Sequence, residues 1–182
     1  MNFLKSVFNF SWDIIKVAAI ALVLAGLVRY FLVQPFFVEG ASMEPNFETG
    51  EYLLIDELSY YFKNIGRGEV VVFHYPLDTS KYYIKRIIGL PGETVEIKNN
   101  QVVIYNNEHP SGFGLSESYL PKSLTTDGQI KKKLGQDEYF VLGDNRTASY
   151  DSRRWGILPK NDIVGRVWVR AWPFNRAVIF SY

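Results

Sequence analysis

The sequence predicts an all-β domain of antiparallel sheets carried on one N-terminal transmembrane helix. Three observations predict it. Val17 to Val28 contains no charged residue. From Glu51 onward, apolar residues recur with period two far more often than with period 3.6. No long stretch after residue 40 shows the apolar stripe of a surface helix. At 182 residues the chain has room for one domain of ordinary size. An apolar fraction of 47% and a charged fraction of 21% exclude wholesale disorder.

The apolar segment comes first. Trp12 to Val33 counts 22 residues, ~33 Å as a helix against a hydrocarbon core of ~30 Å. Lys16 near one end and Arg29 near the other have stems long enough to carry their charges to the headgroups. Gln34-Pro35 ends the helix, because proline lacks the backbone donor and disfavours a helical predecessor. The uncharged run of 12 residues also suits a secretory signal, yet bulky Phe36 and Phe37 stand where a small-residue cleavage site belongs. A buried amphipathic helix is the other alternative, but apolar side chains on every face fit lipid better. The expected organisation is a short cytoplasmic segment at 1–11, an uncleaved anchor at 12–33 and an extracytoplasmic domain at 34–182. Its orientation in the cell membrane rests on Lys5 and Lys16 preceding the apolar run, a weak positive-inside bias.

The body follows as strands. Thr94 to Lys98 alternates polar and apolar, Asn99-Asn100 is a turn signal, and Gln101 to Tyr105 returns as the second arm of a hairpin. Val70 to Phe73, Tyr82 to Ile88, Tyr139 to Leu142 and Ile163 to Val169 are further β-branched or aromatic runs. Residues from about 106 to 135 are rich in Ser, Gly, Pro, Thr and Lys, and read as a loop-rich insertion. Lys131-Lys132-Lys133 within it reads as a solvated face.

Charge and cysteine content exclude several chemistries. The chain carries 20 basic and 19 acidic residues, a net charge of +1; beyond Val33 the count is 17 against 18. Without surplus Lys and Arg to displace counterions, nucleic acid is excluded as the main partner. The absence of cysteine excludes disulfides, thiolate metal sites and a cysteine nucleophile.

Three polar clusters carry the candidate chemistry. Gly40-Ala41-Ser42-Met43-Glu44-Pro45 lies just past the expected membrane exit; alone it is an ordinary turn. In Tyr83 to Glu93, Tyr83, Lys85 and Ile87 share one face of a strand, and Ile84, Arg86 and Ile88 the other. The pattern leaves open which cation points inward. Only the lysine is a candidate base, since arginine stays charged wherever it sits. The third cluster is Gly143-Asp144-Asn145-Arg146 with Ser149, Asp151, Ser152 and Arg153. By itself it is a polar turn with surface ion pairs.

Taken in order, Ser-Met-x-Pro after an anchor, Lys-Arg-x-x-Gly-x-Pro-Gly, and Gly-Asp-Asn-Arg-x-x-Ser-x-Asp-Ser-Arg resemble the type I signal peptidase family. The resemblance runs from the anchor past Arg153 and spares the loop-rich insertion. The single anchor and short length are similar to Gram-positive members. It implies a serine–lysine dyad endopeptidase that removes signal peptides from exported preproteins, with an all-β catalytic core and a smaller inserted domain. Ser42 matches the nucleophile, Lys85 the general base and Ser149 the serine that orients the lysine. Asp144, Asp151 and Arg153 match residues that hold the scaffold. Small side chains at the first and third positions before the cut, the lipid bilayer and the secretion translocon are the implied partners; no cofactor or metal is implied. Some relatives carry a serine two residues before the nucleophile that helps to form the oxyanion hole. Here that position is Gly40, so the hole falls to the Ser42 backbone N–H and a second donor left open by the sequence. Glu93 stands where relatives often have Asp, which keeps the charge.

The chemistry sets further expectations. A lysine serves as base only as the neutral amine, and its ordinary pKa is ~10.4. Lys85 is therefore expected in an apolar pocket between Tyr83 and Ile87, with Asp144 and Asp151 held away by Arg146 or Arg153. The Ser42 Oγ to Lys85 Nζ distance is expected at ~2.6–3.2 Å. His74 is the conventional rival base, but its place at a strand end suits a structural role. Phe36, Phe37 and Trp172-Pro173-Phe174 either dock on lipid or belong to the core. A self-cleaving serine–lysine protease of the SOS-repressor type would need a DNA-binding helical domain where this chain has its apolar segment.

Overall fold

The structure, a computed structural model, describes residues 2–31 and 34–182. It opens with helix α1, Asn2–Phe31, which starts well before the apolar segment at Trp12. Among the described residues no helix is long and apolar enough to cross a membrane. The expected anchor at 12–33 runs into residues 32 and 33, which lie outside the described residues.

Strand β1, Gln34–Phe37, follows at once, so Pro35 marks an extended segment as the sequence suggested. It pairs antiparallel with β2, Tyr52–Asp56. The other strands of the larger sheet are β3 (Val70–Tyr75), β4 (Asp78–Gly89), β9 (Glu138–Leu142), β10 (Leu158–Pro159), β11 (Ile163–Trp172) and β12 (Val178–Ile179). Their order is β1-β2-β11-β3-β4-β9-β10, with β12 also on β11, and every pairing is antiparallel. Two one-turn α-helices, α2 (Ser59–Phe62) and α3 (Ser152–Trp155), and two short 3-10 turns, Lys160–Asp162 and Phe174–Arg176, also belong to this part.

The smaller sheet is β5 (Thr94–Lys98), β6 (Gln101–Tyr105), β7 (Phe113–Gly114) and β8 (Ile130–Lys133), in the order β7-β6-β5-β8. The subdomain thus begins with the 94–105 hairpin, earlier than the compositional boundary near residue 106. Asn99 and Asn100 both have positive φ, 50° and 62°, the turn geometry that matches hairpin twist. The lysine run is an edge strand, not a loop: Lys131, Lys132 and Lys133 are exposed on β8, and such charges guard an edge against further pairing.

Period two decides the core. On β3, Val70 and Val72 face one cluster with Met43, Phe47, Leu53 and Ile55, while Val71 and Phe73 face another with Ile87, Val141 and Leu158. Both faces are covered, which is why this strand reads as a continuous apolar run. A third cluster, including Ile88, Val95, Ile104 and Phe140, joins the two sheets. At their junction Gly89 is obligatory: a Cβ there would meet Val95, Leu134 and Phe140 at 3.0 Å or less.

Candidate active site

The site begins with a turn at Ser42–Asn46, closed by Phe47 N–H donating to Met43 O at 2.9 Å. Met43 and Phe47 point into the core and are buried, which pins the turn. Ser42 is thereby held towards β4.

Lys85 lies on β4, opposite Val71 of β3. It is 4% exposed, and its Nζ stands 2.7 Å from Ser42 Oγ and donates to Ile84 O at 2.8 Å. The Tyr83 ring centroid is 5.5 Å from Nζ, and Ile87 is buried. No carboxylate forms an ion pair with Lys85 among the described residues. Burial pushes the Lys85 amine down to about 8, against a smaller upward pull from Asp151 and then Asp144. His74 is elsewhere: its Nδ1 is 2.7 Å from Thr79 O within its own hairpin, and its ring lies against Tyr82.

Arg86, next along the strand, projects to the other face and is also buried. Both cations of the pair therefore point inward, on opposite sides of β4. Arg86 donates from Nε to Asp144 Oδ1 at 2.8 Å and from Nη2 to Oδ2 at 2.5 Å. This corrects the expected pairing: Asp144, 0% exposed, is held by Arg86 and not by Arg146. Arg146 is instead forked by Glu117 and donates from Nε to Gly143 O at 2.9 Å. The reason is strand alternation, which aims Arg86 at the Asp144 turn while Lys85 faces Ser42.

Asp151 and Arg153 pair as expected, with two contacts of 2.9 Å, and Asp151 also accepts the Gly143 N–H at 3.0 Å. Arg153 reaches on to Arg146 O at 2.6 Å. Ser149 Oγ is buried and has no hydrogen-bond partner among the described residues, Lys85 included. It sits against Gly143, where a Cβ would collide with Ser149 Oγ and the Ser42 carbonyl. The Ser42 N–H has no acceptor among the described residues, whereas the Gly40 N–H donates to Thr49 Oγ1 at 3.0 Å.

A cleft of about 650 Å³ opens over the Ser42–Lys85 pair, lined mainly by apolar and aromatic groups including Phe36, Val38, Ala41, Tyr83 and Tyr150. β9 pairs with β4 only from Arg86 onward, so the outer edge of β4 up to Lys85 has no strand partner among the described residues.

Comparison with known proteins shows the family. The family profile described as signal peptidase, peptidase S26, matches residues 11–172. The chain belongs to the signal peptidase family. It is similar to signal peptidase I of Leptolyngbya laminosa, at 38% identity over 170 residues, covering 89% of this chain and 80% of that protein. It is also similar to signal peptidase IB of Staphylococcus aureus, at 34% identity over 168 residues, covering 86% and 87%. A crystal structure of a signal peptidase I from Enterococcus faecalis matches with a TM-score of 0.48 and 30% identity, over 58% of this chain and 97% of that one.

Within this peptidase fold, sequence reasoning missed the supports drawn from outside the three motifs. Glu117, Thr126 and Tyr119, all in the loop-rich segment, contact Arg146 or lie under Arg86, whose guanidinium is 4.0 Å from the Tyr119 ring centroid. Asn46 was also missed. A signal existed for Arg86 alone, since a permanently charged side chain among isoleucines requires a buried carboxylate.

Proposed function

We propose that this peptidase is a single-pass membrane enzyme that cleaves signal peptides from exported preproteins, with Ser42 as nucleophile and Lys85 as general base. The observation that carries the reading is the 2.7 Å contact between Ser42 Oγ and a lysine amine removed from water. As the neutral amine, Lys85 Nζ takes the Ser42 proton while Oγ attacks the scissile carbonyl. The unengaged Ser42 N–H faces the developing oxyanion. Lys85 returns the proton to the departing amine, leaving the signal peptide as an ester on Ser42. A water then gives its proton to Lys85 and hydrolyses the ester. Ile84 O steadies Nζ throughout, and the unpartnered Ser149 hydroxyl is the second group assigned to orient it. Asp144, Asp151 and Arg153 keep the supporting turns in place.

An extended substrate suits the open edge of β4 beside Ser42, since strand addition satisfies its backbone groups. The apolar lining accepts small side chains before the cut. The anchor at 12–33 places the site near the bilayer, with residues 1–11 cytoplasmic and the β domain outside. Phe37, Tyr52, Trp172 and Phe174 support this placement: all are exposed, and they form a contiguous aromatic patch at the Phe37 end of β1. Phe36, by contrast, packs on the core.

The experiment is cleavage of a preprotein by the full chain and by Ser42→Ala, Lys85→Ala and His74→Ala. Loss of turnover is expected in the first two, by at least about 100-fold for the lysine variant, with activity retained in the third. Wild-type turnover by either dyad variant overturns the assignment.

A further inference from the structure

We infer that Asn46 is a positioning residue that sets the distance between Ser42 and Lys85. The inference rests on the dyad proposed above. Ser42 and Asn46 are four residues apart in the turn whose other face is Met43 and Phe47 in the core. Asn46 Nδ2 donates to Asp144 Oδ2 at 2.8 Å and to Tyr119 O at 3.0 Å. Both partners are pure acceptors, so the amide is oriented by chemistry and both of its protons are used.

These contacts close a ring. Asp144 is gripped by Arg86, and Arg86 is the covalent neighbour of Lys85 on β4. One path from the turn to the strand runs from Ser42 Oγ to Lys85 Nζ; the other runs from Asn46 through Asp144 to Arg86. The residue after Asp144 adds a second tie, with Asn145 N–H donating to Ser42 O at 3.0 Å. The Asp144-Asn145 dipeptide thus holds the turn at both ends. The Asn46 carbonyl is fixed as well, by Arg170 Nη2 at 3.1 Å, and Arg170 is itself paired with buried Glu51 at 2.9 Å. Tyr119 belongs to the loop-rich segment, so that segment also braces the nucleophile turn.

Asn46 touches neither reacting atom. Its effect is on geometry: without its amide the turn keeps its ties to Asn145 and Arg170 but loses those to Asp144 and Tyr119, and an error of about 1 Å in a reacting pair costs about 100-fold in rate. The test compares Asn46→Ala and Asn46→Ser in the full chain. It uses steady-state kinetics, single-turnover cleavage with enzyme in excess, and thermal unfolding. Asn46→Ala is expected to lower kcat and the single-turnover rate together, by about tenfold or more, with KM within about twofold. Asn46→Ser, which restores one donor, is expected to recover part of that loss. A wild-type single-turnover rate in folded Asn46→Ala overturns the inference. So does a serine variant no faster than the alanine one, or a defect confined to KM. If the alanine variant does not fold, the serine variant decides by the same split. Loss of cleavage in Ser42→Ala and Lys85→Ala tests the dyad separately, so failure here is distinguishable from failure there.

Discussion

Lys85 shows how burial changes the chemistry of one side chain. At the surface an ammonium is fully hydrated; among Tyr83, Ile84 and Ile87, without a carboxylate partner, the neutral form gains relative to the charged one. With the amine at about 8 and the neutral form required by the proposed mechanism, activity is expected to fall as pH drops through that value and to be full above it. The pH profile of kcat/KM is expected to rise about tenfold per unit below pH ~8 and to level above it. A limb near 10.4, the ordinary lysine value, contradicts a desolvated base. Arg86, one residue on, stays charged as any arginine does, and Asp144 is buried with it as its partner. Two adjacent cations thus differ in what they face, and the proposed roles of base and scaffold divide between them on that ground.

At the level of elements, the site is an alignment of a turn, a strand and a loop. The turn at Ser42–Asn46 is pinned by Met43 and Phe47, β4 presents Lys85, and the loop from Gly143 to Asp151 closes over both. Gly143 leaves no room between them, because a Cβ there would collide with both Ser149 Oγ and the Ser42 carbonyl. Any side chain there must push apart the loop and the nucleophile turn. Gly143→Ala is expected to abolish turnover and to destabilise the fold by about 1–3 kcal/mol, the usual cost of overpacking. Preprotein cleavage and denaturant unfolding measure the two effects, and wild-type values in both show that the loop yields freely.

In the whole molecule β4 carries the Ser42–Lys85 contact, while the exposed aromatic patch lies at the Phe37 end of β1, on β2 and after β11. The patch is the feature most easily tested. Phe174 is 78% exposed and lies edge-on against Trp172, and lipid is the contact proposed for this patch. In full-chain proteoliposomes, brominated acyl chains are expected to quench a component of tryptophan emission that disappears in Trp172→Phe. Equal quenching in that variant places the patch in water.

Much of this was legible in the sequence. The hairpin at 94–105 and the β3, β4, β9 and β11 strands follow from local alternation, and the Asp151–Arg153 pair joins residues two apart in one motif; Ser42 and Lys85 were singled out only by the resemblance of three motifs taken together. These signals are local because side-chain period and turn chemistry act over a few residues. Partners far apart in sequence were not legible. Asp144 with Arg86, Asn46 with Asp144, and Arg146 with Glu117 join segments 58, 98 and 29 residues apart. Their pairing depends on strand register and on how the smaller sheet folds back, which no local pattern encodes. The reactive side chains are readable because their chemistry restricts residue type; their supports are not, because a buried charge accepts any counter-ion that the fold brings to it.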